Sequence, residues 1–142
     1  MKNFNSNNAS KGRKYEELVE LDLLNRGYLL SNGSKKIYDA GISVDYIAAK
    51  GDIIEYGEAK GGLTLDSNTG ARRTDNVKKA IANGALLKAT IRDARYVVYF
   101  SNYPLPNSAS ERMLQTAVTS GLIDEVRYLC YNESPKLAAS QQ

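Results

Sequence analysis

The chain has 142 residues with one Cys, no Trp and no His, so it cannot build a Ser-His-Asp triad, a Cys-His pair, an imidazole metal ligand or an internal disulfide. Catalysis is left to carboxylates, lysine, tyrosine or hydroxyls, in a single folding unit of ordinary composition (42% hydrophobic, 25% charged) long enough to bury a core. The net charge of +3 conceals a pattern: 1–14 hold four bases and no acid, 15–59 nine acids against four bases, 60–95 eight bases against three acids, and 96–142 three bases against four acids.

An acidic block between two basic ones suits a metal site inside a polyanion-binding surface, and equally an ordinary charged exterior. No apolar run approaches the ~20 residues of a membrane span, and the Asn/Ser-rich start lacks a secretory h-region. The expected setting is cytoplasmic and reducing, with no membrane partner and with Cys130 a small buried hydrophobe.

Residues 1–10 read as a flexible leader, 11–132 as one domain and 133–142 as a C-terminal tail. Helical spacing over Arg13–Arg26 ends at Gly27, and Leu21 and Leu24 with Tyr15 or Leu18 are expected to form its buried stripe. Tyr28–Leu30 is a short strand and Ser31–Ser34 a turn. Ile42–Ala49 and Ile53–Ala59 form a predicted hairpin about Lys50-Gly51. Residues 61–74 are a polar, Gly-rich loop. Thr74 or Asp75 is expected to cap a helix to about Ala89, with Gly84 a weak point in its middle. Arg95–Ser101 is a predicted central strand buried on both faces. Ser108 or Ser110 caps a helix that stops at Gly121, and Ile123–Tyr131 is the last strand. The order αβββαβαβ implies an α/β domain, a mixed central sheet with helices on both faces.

Strand alternation puts Glu58 and Lys60 on one face. With the turn centred on Lys50-Gly51, Asp45 pairs with Tyr56 and becomes a diagonal neighbour of Glu58, whereas Glu55 faces away. A one-residue bulge would break that parity. Two carboxylates converging with a lysine suit metal-assisted phosphodiester hydrolysis. The carboxylates hold a hard cation such as Mg²⁺ or Mn²⁺, and the ammonium positions the attacking water and offsets charge on the phosphate.

Asp45, twelve intervening residues, then Glu58-Ala59-Lys60 resembles the D…(D/E)xK signature of the PD-(D/E)xK nuclease superfamily, with Val44 in place of a proline that is often missing in the family pattern. The resemblance implies a restriction-endonuclease-like fold and an Mg²⁺-dependent endonuclease acting on DNA. Asp45, Glu58 and the Ala59 carbonyl would be metal ligands and Lys60 the water-positioning group. Lys11-Gly12, Glu16, Gly27-Tyr28 and the run Ser31 to Lys36 are similar to the N-terminal part of archaeal-type Holliday junction resolvases, which would make Glu16 a further catalytic acid and bring Ser34, Lys35 and Lys36 to the phosphate backbone. Gly57 to Gly62 also resembles nuclease toxin domains of bacterial competition systems, some of which cut tRNA and would have an immunity protein as partner.

Glu17 and Glu20 compete with Glu16, Glu17 lying on the apolar side of the predicted helix. Asp39 and Asp52 compete with Asp45 but suit turns. Arg72 and Arg73 are expected to contact phosphate, Lys78 and Lys79 to extend that surface, and Tyr56 to share the active face. A toxin-type RNase and a non-catalytic nucleic-acid-binding module stand as alternatives, and cleavage of both strands would favour a homodimer.

Overall fold

The computed structural model describes residues 4–62 and 70–130, with side chains from Lys14 onward. The predicted tail and half of the polar loop (63–69) lie outside the described residues. Among the described residues three helices, α1 (Phe4–Asn25), α2 (Thr74–Thr90) and α3 (Ala109–Thr119), flank a five-stranded mixed sheet. Its strands are β1 (Leu29–Leu30), β4 (Tyr46–Lys50), β5 (Ile53–Lys60), β6 (Arg95–Phe100) and β7 (Glu125–Tyr128), in that spatial order. β1, β4 and β5 run antiparallel; β5, β6 and β7 run parallel. A separate ribbon pairs β2 (Lys36–Ile37) with β3 (Ile42–Ser43) around a 3-10 turn at Tyr38–Ala40. Among the described residues no helix is long and apolar enough to cross a membrane.

β6 explains the layering. In its apolar run, Tyr96, Val98 and Phe100 enter a core with α2 and α3, while Val97 and Tyr99 enter a second core with α1. The strand is buried on both faces, as its composition predicts. On α1 the buried row is Tyr15, Val19 and Leu23, spaced by four. Leu21 and Leu24 are 44% and 50% exposed, so the expected stripe is corrected by nearly half a turn. Glu17 consequently faces solvent, whereas Glu16 and Glu20 flank the buried row and are half-buried. α1 also runs back to Phe4, across much of the predicted leader.

Other boundaries differ for local reasons. The predicted strand 42–49 is broken: Ile42–Ser43 turns aside into the ribbon, where the Val44 N–H meets the Lys35 carbonyl. α2 is preceded by Arg73, and neither Thr74 nor Asp75 caps it, because both already lie in its first turn. Ser108 caps α3 as expected, its Oγ accepting from the Glu111 N–H, while the Glu111 carboxylate accepts from the Asn107 N–H. α3 ends before Gly121 with Leu122 N–H on the Ala117 carbonyl and Gly121 N–H on the Val118 carbonyl, a Schellman closure. β7 covers Glu125–Tyr128 of the predicted strand, whose last position, 131, lies outside the described residues, and Cys130 is buried.

Candidate active site

The hairpin register differs from the expectation by two residues. Lys50 pairs with Ile53, Ile47 with Tyr56 and Tyr46 with Gly57, so the loop is Gly51-Asp52. Gly51 takes a left-handed conformation (φ 61°), which a two-residue hairpin loop favours and which glycine adopts without a Cβ penalty. A shift of two preserves parity within the ladder, so Tyr56, Glu58 and Lys60 share the sheet face covered by α2 and α3.

Asp45 lies just beyond that ladder. Its N–H donates to the Gly57 carbonyl (2.8 Å), although Gly57 is already paired with Tyr46, so the strand slips there in the manner of a bulge. Alternation alone therefore does not aim the Asp45 side chain. A hydrogen bond does: Asp45 Oδ2 accepts from the Ala59 N–H at 2.7 Å. Ala59 lies two residues past the last β5 residue paired with β4. Its N–H points where β4 has ended, and the Asp45 carboxylate takes the place of a ladder carbonyl. That contact brings Asp45 against Glu58.

Glu58 is 2% exposed. Burial first, then the neighbouring Asp45 charge, push its carboxyl up to about 8. Lys60, with Nζ 3.9 Å from Glu58 Oε1, and Asn83, whose Nδ2 donates to Glu58 Oε2 at 3.0 Å, pull in the opposite direction. The Tyr96 hydroxyl is raised by burial and then by the charges of Glu58 and Asp45, which places it beside the pair; it donates to the Ala80 carbonyl of α2 (2.8 Å).

Asn83 is not singled out from sequence, where Tyr96 reads simply as a strand-packing residue, which its burial in the α2–α3 core bears out. The trace of Asn83 is the Asn83-Gly84 step, two poor helix formers in mid-helix. A Cβ on Gly84 would stand 2.4 Å from the Leu122 carbonyl oxygen and 2.8 Å from the Tyr96 ring. Glycine is what lets α2 seat against β6, and that seating carries Asn83 to Glu58.

The structure thus brings together Asp45, Glu58 and Lys60 and adds Asn83. Glu16 belongs to α1, on the opposite face. The Tyr15 hydroxyl bonds the Leu129 carbonyl (3.0 Å), so this part of α1 lies at the sheet end where Lys60 and Phe100 finish their strands. Among the described residues no group of three His, Cys, Asp or Glu side chains is placed to hold a metal. Glu55 faces away as expected, into a buried cluster with Arg127 and Tyr46.

The basic candidates divide. Ser34 Oγ accepts from the Lys36 N–H, a turn role, and Lys36 Nζ lies 5.6 Å from the Tyr38 ring centroid. Lys35 is half-buried. Ile37 and Ile42 pack on the α2–α3 core, so this ribbon lies on the face that bears Glu58. Arg72, Arg73, Lys78 and Lys79 are exposed, Arg73 lying 3.8 Å from the Asp75 carboxylate. Lys78 lines a groove between α2 and α3. Compared with protein-family models, curated proteins and solved structures, the chain matches none.

Proposed function

We propose that the protein is a metal-dependent endonuclease of the restriction-endonuclease-like kind, hydrolysing phosphodiester bonds in DNA. The observation that carries this reading is the contact between Asp45 and the buried Glu58, with Lys60 on the same strand face. Burying two carboxylates together is unfavourable, and Glu58 responds by holding its proton to about pH 8. A scaffold that needed only packing would place an apolar side chain there.

The donor set fits a hard divalent cation. Asp45 uses one oxygen on the Ala59 N–H, and Asn83 and Lys60 address the two oxygens of Glu58. Mg²⁺ and Mn²⁺ are served by one or two carboxylates with water completing the shell, so two protein carboxylates suffice, and the Ala59 carbonyl is a further candidate ligand. When bound, such a cation polarises a phosphoryl oxygen and acidifies a water. The protein's own groups do the rest. Asn83 fixes the Glu58 carboxyl. Lys60 orients the attacking water and offsets charge gathering on the phosphate. Arg72 and Arg73, with Lys35, Lys36, Lys78 and Lys79, supply positive charge for the backbone.

The test incubates the purified protein with plasmid, branched DNA and total tRNA, in EDTA and with added Mg²⁺ or Mn²⁺. Metal-dependent DNA cleavage supports the proposal. Cleavage of tRNA alone replaces it with a toxin-type RNase, and binding without cleavage replaces it with a nucleic-acid-binding module.

A further inference from the structure

Where β6 ends, the chain runs past the candidate site and into an aromatic stack. Lys60 of β5 pairs with Phe100 of β6, and Phe100 with Tyr128 of β7, so the three side chains share one sheet face. Lys60 and Tyr128 are two strand spacings apart, about 10 Å. Phe100 and Tyr128 are stacked, with ring centroids 6.2 Å apart and planes at 28°. Tyr103 continues the stack on Tyr128, at 4.3 Å and 26°, and is itself 54% exposed. The pile therefore rises from the core to an aromatic ring at the surface.

The segment carrying Tyr103 is held in place. Ser101 N–H donates to the Lys60 carbonyl (3.1 Å), and Ala71 N–H to the Asn102 carbonyl (3.3 Å). The first bond ties Tyr103 to the strand that carries Glu58, and the second to a 3-10 turn at Gly70–Arg72, which ends in the exposed Arg72 and is followed by the exposed Arg73. Pro104 follows Tyr103 directly and restricts its backbone. Ring and guanidinium groups thus flank one edge of the site, the former for a base face and the latter for phosphate. Burial first, then Tyr103 and after it Glu111, push the Tyr128 hydroxyl up to about 12, and the Glu111 carboxylate is engaged by the Asn107 N–H.

We infer that Tyr103 is a base-stacking platform beside the Asp45–Glu58–Lys60 site, and that the substrate is single-stranded or locally unpaired nucleic acid. The inference rests on the reading of that site as a nuclease. In a continuous duplex each base face is covered by its neighbours, so an aromatic ring outside the helix gains no stacking. An unpaired base flanking the cut lays its face on Tyr103, while Arg72 and Arg73 meet the backbone. A ring already stacked and backbone-restricted loses little freedom on binding.

The test uses a single-stranded oligonucleotide carrying one fluorescent purine analogue, in DNA and RNA versions, and its fully paired duplex. Binding is followed in EDTA by anisotropy and by quenching of the analogue, for the wild type, Tyr103→Phe and Tyr103→Ala. The expected result is quenching by the wild type and Tyr103→Phe on the single strand. Tyr103→Ala, with unchanged thermal unfolding, binds about tenfold more weakly and without quenching. The inference is overturned if Tyr103→Ala binds and quenches like the wild type, or if the duplex is bound as tightly as the single strand. The same proteins are then assayed for cleavage with Mg²⁺. Undiminished cleavage by Tyr103→Ala removes the platform and leaves the nuclease, whereas a wild type that neither binds nor cleaves removes both.

Discussion

Glu55 and Glu58 lie three residues apart on β5, point to opposite faces of the sheet and are both buried, at 0% and 2% exposure. Their partners are opposite in sign. Glu55 receives Arg127 Nη1 at 2.8 Å and Nη2 at 3.1 Å, with the Tyr46 hydroxyl at 2.6 Å. Glu58 meets a second carboxylate, Asp45, with a neutral amide, Asn83 Nδ2 at 3.0 Å, and an ammonium 3.9 Å away as its counterweights. One glutamate is satisfied by the fold, and the other is held at a cost to it.

That contrast gives opposite outcomes for two similar substitutions. Glu55→Ala takes from the buried Arg127 guanidinium the deeper of its two carboxylates and leaves it only the half-exposed Glu125 at 3.1 Å, so the loss is expected near the lower end of the about 3–5 kcal/mol that breaking a buried pair costs. Glu58→Gln removes an ionisation that the fold opposes. Below the ordinary glutamate value of 4.5 the carboxyl is protonated in both folded and unfolded chains and the two states do not differ. Between 4.5 and about 8 the unfolded chain releases its proton while the folded chain keeps it, so stability declines as pH rises and levels off above 8. In EDTA, Glu58→Gln is expected to exceed the wild type by roughly 2–4 kcal/mol near pH 8 and to match it near pH 4. Urea unfolding at the two pH values checks this; a pH-independent difference would sink the assignment of Glu58 as the strained group.

The catalytic proposal separates activity from stability. Lys60 is half-buried and its ammonium lies 3.9 Å from Glu58, so Lys60→Ala removes little packing. We expect unchanged thermal unfolding and a loss of cleavage of about a hundredfold or more. Asp45→Asn keeps an oxygen for the Ala59 N–H while removing the charge that raises Glu58. It is expected to fold, to lower the titration of Glu58 and to lose metal-dependent cleavage, as calorimetric titration with Mn²⁺ and a cleavage assay would report. Full cleavage by either variant would dismiss the proposed chemistry.

Asn83 adds a pH signature. Its hydrogen bond to Glu58 Oε2 favours the ionised carboxylate. Asn83→Ala is expected to raise Glu58 further, so that cleavage falls about tenfold at neutral pH and recovers as pH increases, since hydrogen bonds to charged groups contribute about 1.5–3 kcal/mol. A pH–rate profile of unchanged shape would show that Asn83 serves only to pack.

Much of the fold was legible because β6 and the hairpin carry strong local patterns. A near-continuous apolar run can only be central, and the alternation of Tyr56, Glu58 and Lys60 survives a register error of two. What was not legible depends on partners distant in sequence. The buried row of α1 is chosen by Tyr46, Tyr99 and Leu129, and neither Leu21 nor Leu24 signals that they lose. The Asp45 side chain is aimed by the Ala59 N–H across a slipped strand, which parity counting misses. Asn83 joins Glu58 through the seating of α2 on Tyr96 and Leu122, a tertiary event that helix propensity opposes.

That seating is itself testable at Gly84. In an exposed helix, alanine for glycine stabilises by about 1 kcal/mol. At Gly84 the new Cβ would lie 2.4 Å from the Leu122 carbonyl oxygen and 2.8 Å from the Tyr96 ring, and neither backbone nor a buried ring yields readily. Overpacking of this kind costs about 1–3 kcal/mol, so the sign reverses and Gly84→Ala is expected to destabilise. α2 must move off β6 to relieve the contact, which draws Asn83 from Glu58. Gly84→Ala should therefore reproduce the alkaline shift of Asn83→Ala in addition to its lower melting temperature. The neighbouring Ala82 is exposed on the same helix. Ala82→Gly should lower stability by about 1 kcal/mol through propensity alone and leave the pH–rate profile where it was. Identical profiles for the two variants would show that helix seating does not reach the site.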